Sequence, residues 1–126
     1  MPHRILIVDD DILVLEALQE LLRSSECEVR VAARGQEALE ILDQEHFDLL
    51  ILDVVMPKMT GFDLAREVRR RDDEMSKVKI IMLTAKTDPR DVKSEELCSS
   101  DLYLTKPIDP GRLKQLVKDT LEGPVQ

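Results

Sequence analysis

The chain has 126 residues, 43% of them hydrophobic and 35% charged, which suits one soluble domain able to bury a continuous core without a disulfide or metal staple. Its formal net charge of −8 argues against direct nucleic-acid binding, which needs a basic surface to meet phosphates. No apolar run approaches the roughly 20 residues of a membrane span, no stretch reads as a basic membrane-surface helix, and the opening residues read as the start of the fold rather than a signal peptide. Cys27 and Cys98 lack zinc or redox spacing and read as two reduced cytosolic thiols.

In chain order, residues 4–8 (RILIV) form the first expected strand. Leu15, Leu18 and Leu22 then repeat with helical spacing, and Val14 and Leu21 widen the stripe. Residues 28–32 (EVRVA) are the second strand; Gly35 follows, and Ala38, Leu39 and Leu42 mark the second helix. Residues 48–52 (DLLIL) are the third strand. Thr60-Gly61 can cap and open a third helix marked by Leu64, Ala65 and Val68. Residues 79–83 (KIIML) are the fourth strand. Asp88-Pro89 can start a fourth helix over 88–97; only Val92 and Leu97 could face a core, so it is expected to dock least firmly. The weaker run 101–105 (DLYLT) is the fifth strand, and Asp109-Pro110 opens a last helix carrying Leu113, Leu116, Val117 and Leu121. The tail, 122–126, is expected to fray.

The strands are short, apolar runs of the kind covered on both faces. Their alternation with helices implies an α/β fold with right-handed crossovers. Five such units fit the flavodoxin-like doubly wound sheet, (βα)5 with strand order 2-1-3-4-5, as one domain over 1–126. That order sets the first and third strands side by side, with a crevice at their carboxyl ends where ligands bind.

Polar groups collect at that rim. The first strand runs into Asp9-Asp10-Asp11, the third into Asp53, the fourth into Thr84, and Lys106 follows the fifth. Carboxylates that close raise one another's pKa unless a cation intervenes. Few protein ligands and hard oxygen donors suit Mg²⁺ better than Ca²⁺, and no EF-hand spacing is present. Taken alone, Asp10 or Asp11 would be a helix cap, Lys106 a solvated lysine or structural ion pair, and Thr84 a strand end. Together they form a pocket in which Lys106 can grip a phosphoryl oxygen and Thr84 can donate its hydroxyl to one. Pro107 follows Lys106, and an X-Pro bond can be cis, which would fix how the lysine points.

The segments ILIVDD, LDVVMPKMTG, LTA and KP, in that order and at domain-filling spacing, resemble the CheY-like receiver domain of two-component response regulators, over roughly residues 4–121. The resemblance implies that Asp53 is the nucleophile and phosphoacceptor. It implies Asp10 as a direct Mg²⁺ ligand, Asp9 as a ligand through water, and the backbone carbonyl of Val55 as the third protein ligand, with Pro57 and Gly61 in the loop that follows. Lys106 would pair with the phosphoryl group and Thr84 would hydrogen-bond to it. Tyr103 stands where the family keeps its switch aromatic; its plain alternative is a partly buried tyrosine. The donor would be a sensor histidine kinase or a phosphotransfer protein in the cytoplasm. The output would pass to an effector domain or protein through the face of the 88–97 helix, the fifth strand and the last helix, a face that also allows a homodimer. The chain would act as a signalling switch, not a turnover enzyme.

Some positions depart from the family pattern. Val55 is apolar and Lys86 basic where the family tunes hydrolysis; because an apolar Val55 cannot orient the attacking water, a long-lived phosphoform is expected. Ser99-Ser100 replaces a small Gly-Ala pair, and Ile108 replaces an aromatic after Lys-Pro. The rival within the fold is a degenerate receiver serving as a phosphorylation-independent interaction module; the complete acidic set with Lys106 argues against it. A flavodoxin would want a Ser/Thr/Gly-rich loop after the first strand, where three acids stand. A haloacid-type phosphatase would want a second Asp at the position of Val55.

Overall fold

The computed structural model describes residues 2–84 and 102–122. The expected helix over 88–97, Lys86, Cys98, Ser99-Ser100 and the tail beyond Glu122 lie outside the described residues. The elements run β1 (His3–Val8), α1 (Ile12–Leu22), β2 (Cys27–Ala32), α2 (Gly35–Gln44), β3 (Leu49–Asp53), α3 (Gly61–Arg69), a 3₁₀ turn (Glu74–Lys77), β4 (Lys79–Thr84), β5 (Leu102–Thr105) and α4 (Pro110–Glu122). All strand pairs are parallel and the order is β2-β1-β3-β4-β5, the doubly wound arrangement expected from the alternation.

Alternation along the strands divides the core in two. Leu6, Val8, Leu50, Leu52, Ile80 and Met82 pack with Ala38 and Leu42 of α2 and Leu64, Ala65 and Val68 of α3. Ile5, Ile7, Leu49, Ile51, Ile81 and Leu83 pack with Leu15, Leu18 and Leu22 of α1 and Leu113 and Val117 of α4. Each such leucine, isoleucine, valine or methionine, fully buried, contributes about 1.5–3 kcal/mol, so the helical stripes and central strands reinforce one another. The central position of β3 explains why all five of its residues are buried.

The expectation that every strand is covered on both faces holds only in the middle. β2 alternates half-buried and exposed residues along most of its length, because it is an edge strand with a single paired neighbour. Its exposed positions Glu28 and Arg30 carry charge, which discourages pairing with another chain's edge. Leu39, Val14, Leu21 and Leu121 are half-buried against the core rather than within it.

The helix starts follow the turn chemistry. Thr60 accepts the Asp63 N–H at 3.1 Å while Asp63 accepts the Thr60 N–H at 3.0 Å, a complete capping box. Asp109 accepts the Gly111 N–H at 3.0 Å, with Pro110 opening α4. The 3₁₀ turn has no periodic signature in sequence; Asp73 caps it by accepting the Met75 N–H at 3.1 Å.

Candidate functional site

The register of the sheet assembles the rim. Val8 pairs with Leu52, and Leu52 with Met82, so the next residues, Asp9 and Asp53, emerge side by side. Asp53 and Thr84 are themselves the last residues of β3 and β4, one position further into the strands than the sequence reading set them. Thr84 pairs with Thr105, and its carbonyl accepts the Lys106 N–H at 2.6 Å, which brings Lys106 back over the acids. The Lys106–Pro107 peptide bond is cis.

The Lys106 Nζ lies 3.1 Å from the Asp9 carboxylate and 3.3 Å from that of Asp53. Carboxylate oxygens of Asp9, Asp10 and Asp53 all lie within 4.8 Å of one another. Asp9 and Asp53 are buried, at 1% and 4% exposure, whereas Asp10 is exposed. Burial and the neighbouring Asp9 charge raise the Asp53 pKa above the ordinary aspartate value, while Lys106 and a hydrogen bond from the Val55 N–H act against them. Burial alone would lower the Lys106 pKa, but hydrogen bonding to Asp9 and the charges of Asp9 and Asp53 together raise it.

The three aspartates of the run divide their labour. Asp11 is the N-cap of α1, accepting the Leu13 N–H at 3.0 Å. Asp9 also accepts the Asp11 N–H, at 2.9 Å, which holds its carboxylate over the pocket. Capping is therefore the role of Asp11, and Asp9 and Asp10 turn to the rim. Three hard oxygen donors on a shared focus, two of them buried with less than one positive charge each, are chemistry that suits Mg²⁺.

Two features of the loop after Asp53 hold this geometry. Gly61 sits so close to the end of β3 that a Cβ would meet the Asp53 carbonyl oxygen at 2.3 Å, and its N–H donates to the Val54 carbonyl at 3.0 Å. Lys58 adopts φ 70, a left-handed conformation uncommon outside glycine, and lets the Met59 N–H reach the Pro57 carbonyl at 2.8 Å. Thr84 is fully buried. Tyr103 packs against the α2/α3 core cluster, on the same face of the sheet as Met82.

Sequence reasoning marked Val55 as apolar but missed the other apolar surroundings of the pocket. Ile12, Leu13 and Val55 are 55%, 76% and 57% exposed. A groove of about 610 Å³ runs from Lys106 between α1 and the start of α4, lined by Val14, Leu18, Leu21, Pro107, Ile108 and Leu113. The available signal was that Ile12 and Leu13 fall off the buried stripe of α1 yet are large and apolar. Phe62 was also missed: its ring stacks on Tyr103, and no periodicity marks such a pair.

A family profile described as the response regulator receiver domain matches residues 5–118. The DNA-binding response regulator MtrA of Mycolicibacterium paratuberculosis is 40% identical over 121 residues, covering 96% of this chain and 52% of the relative. The chain spans about half the length of the curated relatives it matches. Among solved structures, the chemotaxis response regulator CheY4 of Vibrio cholerae aligns with a TM-score of 0.85 at 32% identity, over 95% of this chain and 99% of that one. The beryllofluoride-activated DrrB receiver domain aligns with a TM-score of 0.84 at 30% identity, over 98% of this chain and 100% of that one. With the parallel 2-1-3-4-5 sheet, the acid-lined rim and a profile match over most of its length, the chain belongs to the response regulator receiver domain family of two-component systems, with a CheY-like fold.

Proposed function

We propose that Asp53 accepts a phosphoryl group from a sensor histidine kinase or phosphotransfer protein, in a Mg²⁺-dependent reaction, and that the chain passes the change to a downstream effector. The observation that carries this reading is the reach of one lysine, Lys106, to the buried carboxylates of Asp9 and Asp53, with Asp10 beside them. An oxygen of the Asp53 carboxylate would attack the phosphorus of a phosphohistidine. The new P–O bond forms as the P–N bond breaks, and the imidazole nitrogen leaves with the bonding electrons and takes up a proton. Lys106 would offset charge on the equatorial oxygens and the Thr84 hydroxyl would donate to one of them. Asp10, Asp53 and the Val55 carbonyl would hold Mg²⁺ directly and Asp9 through water; the ion would supply charge neutralisation between donor and acceptor. Ile12, Leu13 and Val55 flank the rim, where a protein donor must land for its phosphorylated side chain to reach Asp53.

Output would follow from a population shift in which Thr84 moves toward the phosphoryl group and Tyr103 settles inward, changing the face of β5, α4 and the 88–97 segment. That face would carry the effector contact and any homodimer. One receiver unit over 1–126 and a cytoplasmic location go with this reading; among the described residues no helix is long and apolar enough to cross a membrane.

The test is incubation with acetyl phosphate and Mg²⁺, followed by intact-mass measurement. One alkali-labile phosphoryl group is expected, absent after chelation of Mg²⁺ and absent in Asp53→Asn. An unmodified protein that also ignores beryllofluoride would replace this reading with the phosphorylation-independent interaction module.

A further inference from the structure

Tyr103 sits between two opposing influences. Its ring lies parallel to that of Phe62, with planes 4° apart and centroids 6.3 Å apart, and it packs against the core cluster that contains Phe62 and Met82. Its hydroxyl is buried and finds no hydrogen-bond partner among the described residues. Stacking and burial draw the ring inward. The unpaired hydroxyl favours an outward position, where water would satisfy it. Opposed pulls of this kind define an inward and an outward position, and a neighbour that stabilises one of them would set their ratio.

Phe62 is well placed to be that neighbour. It is 6% exposed and is the second residue of α3. The start of α3 is clamped by the Thr60–Asp63 capping box and by the Gly61 N–H bond to the Val54 carbonyl, directly behind Asp53. The ring that meets Tyr103 is thus carried by the backbone that also carries Asp53. The geometry points to Phe62 as a positioning residue that holds Tyr103 inward before any phosphoryl group arrives, so that the resting protein is already biased toward the inward state.

This deepens the proposed function and rests on it for the coupling to phosphorylation, though not for the stack itself. If a phosphoryl group favours the inward state, linkage requires that the Phe62–Tyr103 stack raise the affinity for that group by the same factor by which the group strengthens the stack. Removing the Tyr103 hydroxyl should act in the opposite sense to removing the stack, since it deletes the pull outward.

The sequence supplies a clean reporter: Tyr103 is its only tyrosine and it has no tryptophan. Acrylamide quenching of tyrosine emission would be compared in the unmodified wild-type chain and in Phe62→Leu, which keeps an apolar side chain but lacks the ring. Phe62→Met serves if the leucine variant fails a circular-dichroism check of folding. The quenching constant should rise roughly 2- to 10-fold, the range expected for losing an aromatic pair. In calorimetric titrations with beryllofluoride and Mg²⁺, Phe62→Leu should bind more weakly by a similar factor and Tyr103→Phe more tightly than wild type. A folded Phe62 variant with wild-type quenching overturns the inference, as does tighter beryllofluoride binding by that variant. Wild-type protein that binds no beryllofluoride would instead sink the phosphoacceptor reading, and the quenching comparison would still decide whether Phe62 holds Tyr103.

Discussion

At the amino ends of the strands Arg4 donates to the His46 carbonyl at 3.0 Å, pairs with Glu45 and Glu28, and lies 4.9 Å from the centre of the Phe47 ring. Nearby, Arg71 bridges Asp43 and Asp73, each at 3.0 Å. At the carboxyl ends three carboxylates gather, and the Lys106 amine meets two of them. Hydrogen bonding from Arg71 holds the Asp73 pKa below its ordinary value, whereas burial and Asp9 raise that of Asp53. One rim sets opposite charges beside one another near water and serves the fold. The other concentrates like charge in a buried place, where it opposes the fold. Sites of this second kind are where consistency between local chemistry and stability gives way to function.

Substitutions that disturb each rim should separate these roles. The largest effect is expected from Gly61→Ala, whose methyl group cannot fit against the Asp53 carbonyl without displacing α3 or β3. Urea unfolding should show a loss of about 2–3 kcal/mol, and phosphoryl acceptance should fall with it; a loss under about 0.5 kcal/mol would mean that the loop gives way freely. Next is Lys106→Met. Buried Asp9 and Asp53 would lose their shared cation, costing about 1–2 kcal/mol in metal-free buffer once the partial exposure of the lysine is allowed for. Added Mg²⁺ should recover more stability in this variant than in wild type, because the amine no longer competes for the same oxygens; equal recovery would argue that Lys106 and the ion do not share them.

A smaller effect, of opposite sign, should come from Asp53→Asn. Because the folded-state pKa of Asp53 is raised, the folded protein binds more protons than the unfolded chain between the ordinary carboxylate value and the raised one. Metal-free wild-type protein should therefore lose stability as pH rises through that window. Asp53→Asn removes this slope and should stabilise the metal-free protein by on the order of 1 kcal/mol near neutral pH; a destabilised variant would contradict the account of the acid rim. The smallest effect is expected from Arg71→Gln, and its pH dependence has the reverse sign. The depressed Asp73 pKa stabilises the fold above the ordinary carboxylate value and is lost as pH falls through the depressed one. The variant should lose that acid-side slope while accepting phosphoryl groups at the wild-type rate.

Much of this molecule is legible in one dimension. Strand order followed from alternation, because short apolar runs joined by helices have few handed ways to pack. The buried stripes of α1, α3 and α4 followed from periodicity, because that signal is local: Leu15, Leu18 and Leu22 share a face whatever lies opposite. The positions Asp9, Asp53, Thr84 and Lys106 could be picked out because fold geometry sends strand ends to a common rim. Edge exposure of β2 was less legible, since a strand's sequence does not say how many neighbours it will have.

What only the tertiary structure decided are matters of direction and distance across the sheet. The tract Asp9-Asp10-Asp11 offers three equivalent carboxylates to a reader of sequence. Backbone direction after β1 makes one a buried partner of Lys106, one an exposed rim group and one a helix cap. Phe62 and Tyr103 meet because α3 and β5 are brought together by register and packing, neither of which is written in local residue pattern. Local chemistry determines which groups are available; long-range packing, acting through hydrogen-bonded register, determines which of them touch.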